Sequence, residues 1–128
     1  MGAFTEAEMG YLLSERRLAR IATVGKDGTP HVTPVGYTYN SDYDTIDVGG
    51  RNLMEKKKFA DVARSGRAAI VIDDMVSQTP FHVRGLEVRG RAEAISDPEH
   101  PLIRIFPERI ISWGIVSAVH DAHSVPKR

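Results

Sequence analysis

The chain has 128 residues, 17 Lys+Arg against 17 Asp+Glu, 41% hydrophobic residues and no Cys. That length fits one domain with a real core, expected to span 1–128 with an N-terminal helix at 1–17 and a polar tail at 116–128. The missing Cys excludes disulfides and thiolate chemistry; the charge balance argues against a nucleic-acid partner, no apolar run approaches the ~20 residues of a membrane span, and the acidic N-terminus without an apolar core predicts a cytoplasmic protein.

Thr5-x-x-Glu8 is a capping box, with Phe4 and Met9 placed as a hydrophobic staple around it. It predicts a helix over 6–16 with Met9, Leu12 and Leu13 inward and Arg16 and Arg17 near its C-terminal end. The period then changes to that of strands. Residues 18–24 read as a strand, Asp27-Gly28 as a hairpin turn, and 29–39 as the return strand. Pro30 and Pro34 cannot donate ladder hydrogen bonds, so this strand is an edge or is bulged. A third strand over 45–50 completes an antiparallel meander.

A second helix is expected over 52–64, with Asn52 as cap, Glu55 completing a box, and Phe59, Val62 and Ala63 as its apolar stripe. Ser65-Gly66 stops it. Residues 67–74 read as a buried central strand and 75–80 as a loop. Over 81–96 the apolar positions switch from odd to even, which predicts a β-bulge near Gly85. A last strand over 102–115 is bent or bulged at Pro107, and the tail beyond is expected to be loosely ordered. Six strands and two helices predict a mainly β protein, a small antiparallel barrel filled by side chains. Its ligand would sit on the outer wall or at a subunit interface.

Arg51, Lys56, Lys57 and Lys58 crowd the start of the second helix, where the macrodipole favours anions. A bound phosphate there would explain them; a solvated face partly neutralised by Glu55 is the alternative. Successive helical residues lie ~100° apart, so Lys58 and one neighbour are better placed than all three lysines. Val48-Gly49-Gly50 just before them lets a flat group approach the backbone; a plain turn would look the same. Trp113 suits either a cofactor ring or a dimer contact. His120-x-x-His123 has no third ligand, so no metal site is expected. Neither a nucleophile elbow nor a dinucleotide or P-loop motif is present.

LARIATVGKDGTPHVTPVGY, together with KKKFADVARSGRAAIVIDD, resembles the pyridoxamine 5'-phosphate oxidase-like split β-barrel superfamily. RGLEVRGRAEAI and PERIISWG are similar to its branch dependent on coenzyme F420, a deazaflavin. The resemblance covers nearly all of residues 10–115. It implies a six-stranded split barrel and a homodimer with cofactor sites at the interface. By position, Lys56 and Lys58 fall at the cofactor phosphate with Arg51 and Lys57 close by; Thr33, Pro34 and Val35 face the ring; Val48, Gly49 and Gly50 lie on the neighbouring strand; Trp113 belongs to a C-terminal segment that can reach the site. The substrate-binding arginine and histidine of the oxidase proper are not recognisable, which argues against pyridoxamine phosphate oxidation. The implied activity is hydride transfer from reduced F420 to an unsaturated small organic substrate, with Tyr37, Tyr39 or solvent as proton source. The alternatives are an FMN-dependent oxidoreductase and a flavin- or haem-binding module without turnover.

Overall fold

The computed structural model describes residues 2–15, 17–116 and 120–126. Helix α1 (Glu6–Ser14) is followed by strands β1 (Ala19–Val24), β2 (Pro30–Val35), β3 (Thr38–Asn40) and β4 (Thr45–Val48). A 3-10 turn (Leu53–Glu55) leads into α2 (Lys57–Ser65), and β5 (Arg67–Gln78), β6 (Phe81–Ile95), β7 (Leu102–Trp113) and β8 (His120–Ser124) complete the chain. The strands form one antiparallel sheet in the order β2-β1-β5-β6-β7-β4-β3, with β8 also on β7. This is the expected mainly β split-barrel class, with eight strands among the described residues rather than six.

The expected strand over 29–39 is broken at Gly36-Tyr37 into β2 and β3, which occupy opposite ends of the hydrogen-bonded order. One stretch of sequence thus borders both ends of the sheet, and the simple three-stranded meander does not form: β1 pairs β2 while β3 pairs β4, and β4 pairs β7. The prolines sit where the missing donors cost least, on β2 at the end of the order. The interior is filled mainly by branched aliphatics, with Ile21, Ile46, Ile70, Ile72, Leu86 and Ile105 among its fully buried side chains. Each contributes about 1.5–3 kcal/mol of burial.

The capping box of α1 is formed: Thr5 Oγ1 accepts from the Glu8 N–H at 3.2 Å and Glu8 Oε1 accepts from the Thr5 N–H at 2.9 Å. Its inward face is turned from the expected one, because Glu8, Tyr11 and Leu12 are buried while Leu13 is 65% exposed. The Tyr11 hydroxyl donates to Asp74 at 2.6 Å, and this polar anchor sets the helix rotation. Arg17 donates to the Tyr11 carbonyl at 3.0 Å and so does serve the helix end, whereas Arg16 lies outside the described residues.

The second helix starts five residues later than expected. Asn52 is left-handed (φ 56°) and makes no capping bond; Lys56 occupies the cap position, and Ala63 is exposed. Phe59, Asp61 and Val62 form the buried face, and Gly66 ends the helix as expected.

Residues 75–78, expected in a loop, extend β5. No bulge occurs at Gly85, which pairs with Asp73 in an unbroken register; Phe81 is 69% exposed, so the odd positions at the start of β6 never belonged to the inward face. The register breaks instead between Met75 and Ser77 in β5 and opposite Arg89/Gly90 in β7, beside Pro107 as expected. That second break switches the inward positions of β7 from Ile103 and Ile105 to Ile110. The tail is more ordered than expected: β8 pairs with Arg109–Trp113, and His123 bonds the buried Glu8 carboxylate at 3.0 Å. Among the described residues no helix is long and apolar enough to cross a membrane.

Candidate functional site

The first turn of α2 carries Lys57 and Lys58 behind the cap residue Lys56, and no acidic side chain. Among the described residues none of these lysines forms an ion pair. Lys58 is half-buried, and its ammonium is held below the usual lysine range by burial and by the neighbouring Lys56 charge. Uncompensated cations at a helix N-terminus are electrostatically unfavourable unless an anion joins them.

Facing this turn is β2. Ile21 pairs with Thr33 and Thr23 with His31, so these four side chains share one face. Ile21 and Thr23 are buried, and His31 and Thr33 are half-buried. Together with Pro30, Val32, Lys57 and Lys58 they line a concavity of about 360 Å³ between β2 and the start of α2. It takes in His31 and Thr33 on the inward face of β2 and Pro30 and Val32 on its outer face. The Thr33 hydroxyl oxygen is buried with no hydrogen-bond partner among the described residues. An unpaired buried hydroxyl and two unpaired ammonium groups around one space suit an anionic, oxygen-rich ligand group such as a phosphate.

Beneath the lysines, Asp61 is buried and fully engaged. It accepts from Thr23 Oγ1 at 2.8 Å and bonds His31 Nδ1 at 2.7 Å, while Arg64 lies 3.4 Å from its other oxygen. Burial alone would raise this carboxyl, but the bonds from His31 and Thr23 outweigh it and hold the group below the ordinary carboxylate range. A second, shallower hollow of about 810 Å³, lined by Lys26, Asp27, His31, Lys57, Asp61 and Arg64 among others, adjoins the first through His31 and Lys57.

Of the residues selected from sequence, the structure brings Thr33, Lys57 and Lys58 together. Lys56 is exposed at the helix cap, and Gly49, Gly50 and Arg51 are exposed at the end of β4. Pro34 is exposed on the outer face of β2, whereas Val35 and Val48 are core side chains and present only backbone to a ligand. Trp113 lies at the far end of β7 from Ile103, the partner of Val48, and packs against His120 with ring centroids 6.1 Å apart. Residues at β8 positions 120 and 123 point to opposite faces of a strand, so the H-x-x-H pair does not converge. Tyr37 and Tyr39 both donate their hydroxyl protons internally, to the Leu12 carbonyl at 3.0 Å and to Asp44 at 2.6 Å.

His31, Thr23 and Asp61 were not selected from sequence. They lie in three separate segments, and only the β1–β2 register and the buried face of α2 bring them together. A charged residue beside Val62 on the apolar face of a helix was the available signal for Asp61.

Residues 5–128 match the family model described as pyridoxamine 5'-phosphate oxidase. A 5a,11a-dehydrotetracycline/5a,11a-dehydrooxytetracycline reductase of Streptomyces rimosus subsp. rimosus is 37% identical over 120 residues, covering 88% of this chain and 84% of that protein. Among solved structures, a conserved hypothetical protein from Mycobacterium tuberculosis superposes with a TM-score of 0.70 at 21% identity, covering 87% of this chain and 85% of that one. An F420 reductase superposes with a TM-score of 0.60 at 18% identity, covering 79% and 94% respectively. The chain belongs to the pyridoxamine 5'-phosphate oxidase family and is an oxidoreductase of that family.

Proposed function

We propose that this oxidoreductase binds coenzyme F420, with the cofactor phosphate between α2 and β2, and reduces an unsaturated bond in a small organic substrate. The observation that carries the reading is the pairing of Lys57 and Lys58, both without ion-pair partners among the described residues, with the unpartnered Thr33 hydroxyl around one concavity. The choice of deazaflavin rests on the similarity of RGLEVRGRAEAI and PERIISWG to the F420-dependent branch. The substrate class follows the name of the 37%-identical relative, whose dehydro substrates are by that name short of two hydrogens.

When bound, the reduced cofactor supplies a hydride to the substrate. Lys57 and Lys58 would hold the phosphate, and Thr33 would donate its hydroxyl to the same group. Arg51 and Lys56, on the rim, would add charge without direct contact. The exposed Gly49-Gly50 backbone leaves room for a flat ring. Tyr37 and Tyr39 donate their hydroxyl protons to internal acceptors, which favours solvent as the source of the second hydrogen, added as a proton.

The working unit would be a homodimer with the sites at its interface. Val24 and Val32 are 45% and 67% exposed on the outer face of β1 and β2, next to exposed Pro30 and Pro34, and a second copy would cover them. A partner copy is also the route by which Trp113 would approach the ring.

Fluorescence titration of the purified protein with F420 and with FMN tests the reading. Binding of F420 in preference to FMN supports it; binding of FMN alone replaces deazaflavin by flavin; binding of neither ends it. The double replacement Lys57→Ala/Lys58→Ala should weaken F420 binding at least tenfold, since a charge-assisted hydrogen bond is worth about 1.5–3 kcal/mol. Unchanged affinity would place the phosphate elsewhere.

A further inference from the structure

His31 forms the boundary between the two hollows and shares both with Lys57. Its Nδ1 is tied to Asp61 at 2.7 Å, and no described residue hydrogen-bonds its Nε2. The side chain is 28% exposed, enough for that second nitrogen to meet a ligand. The imidazole also lies directly over the hairpin turn, where a Cβ on Gly25 would collide with the ring, so its position is fixed from two sides. An imidazole whose Nδ1–H is held by a buried carboxylate presents an oriented Nε2, which donates once the ring carries its second proton.

We propose that His31 is a further ligand-contacting residue of the phosphate site, donating from Nε2 to the same anionic group as Lys57 and Lys58, with Asp61 acting as its positioning residue. This rests on the phosphate reading above. A protonated His31 brings a third positive charge, and its loss weakens the grip on the phosphate while leaving ring contacts untouched. The charged groups facing the imidazole are Asp61 with its partner Arg64 on α2, Lys57 and Lys58 on the same helix, and Asp27 and Lys26 on the β1–β2 turn. The Asp27 carboxyl is occupied by the Thr29 N–H at 3.0 Å, which leaves Asp61 as the carboxylate bonded to the ring.

The test compares ligands with and without the phosphate: FMN against riboflavin, and F420 against its phosphate-free chromophore. For wild-type protein the phosphate-bearing ligand should bind more tightly at about pH 6 than its counterpart, by a margin that His31→Gln reduces about tenfold. Affinity for the phosphate-free ligands should change less than about twofold, the readout that a merely structural His31 would disturb. On wild-type protein, F420 but not its phosphate-free chromophore should move the His31 Cε1–H resonance, a measurement that does not depend on the variant folding. A variant that keeps the wild-type preference, with the resonance unmoved by F420, overturns the proposal while leaving the lysine site standing. A wild-type protein indifferent to the phosphate overturns both, and the lysine replacements identify that case.

Discussion

Asp74 shows how much a single carboxylate organises. It receives Arg84 Nε at 2.9 Å and Nη2 at 3.1 Å as well as the Tyr11 hydroxyl, and Arg17 lies 3.4 Å away. The Arg84 bonds, ahead of the opposing effect of burial, hold it below the ordinary carboxylate range, and burial together with the bond to Asp74 pushes the Tyr11 phenol up. A carboxyl whose folded value lies below its unfolded value stabilises the protein above the unfolded value, and that contribution fades as pH falls through the folded one. Both Asp61 and Asp74 are of this kind. The urea midpoint should therefore decline below about pH 4. Asp74→Asn should lower the midpoint at neutral pH, by about 1–3 kcal/mol in stability, and flatten the acid limb. An acid limb identical to that of the wild type would show that Asp74 contributes nothing to it. The sequence exposed the lysine cluster because its charge opposes the helix dipole at known spacing. It concealed Asp61 and His31, whose roles depend on strand register rather than on neighbours in the chain.

At the level of elements, local rules succeeded where one segment contains the whole interaction. The Thr5/Glu8 box closes within four residues and formed as read. Thr5→Ala should cost about 1 kcal/mol, seen as a lower melting temperature. Asn52 failed as a cap because the chain turns left-handed there and a 3-10 turn intervenes before the α-helix begins at Lys57. The odd apolar positions at the start of β6 face outward, so no bulge was needed at Gly85; the register break opposite β6 lies in β7, beside Pro107. A parity count along one strand cannot tell a bulge from apolar residues left on the outward face. Gly90 marks the place: a Cβ there would run into the Phe106 carbonyl oxygen, which is backbone and cannot yield. Gly90→Ala should destabilise by more than about 3 kcal/mol or abolish soluble expression, and thermal melting of the recovered protein checks this.

For the molecule as a whole, the class of fold was legible from turns, strand lengths and the two helices, and the strand order was not. Nothing local indicates that a break at Gly36-Tyr37 sends the two halves of one strand to opposite ends of the sheet. Nor does the polar composition of the C-terminal segment reveal that it pairs, because its contacts include backbone bonds to β7 and side-chain bonds to residues distant in the chain, such as His123 to Glu8 and Arg109 to Ser124. β7 gives one edge to β6, while its other edge is divided between β4 at Ile103–Ile105 and β8 at Arg109–Trp113. A chain shortened after Val116 would strip the second half of that edge and leave a bare row of amide donors and acceptors facing solvent, an invitation to templated stacking of one molecule on the next. Such a fragment should scatter light in a concentration-dependent manner under conditions in which the full chain stays clear, so the last visible strand is in effect the protein's guard against its own copies.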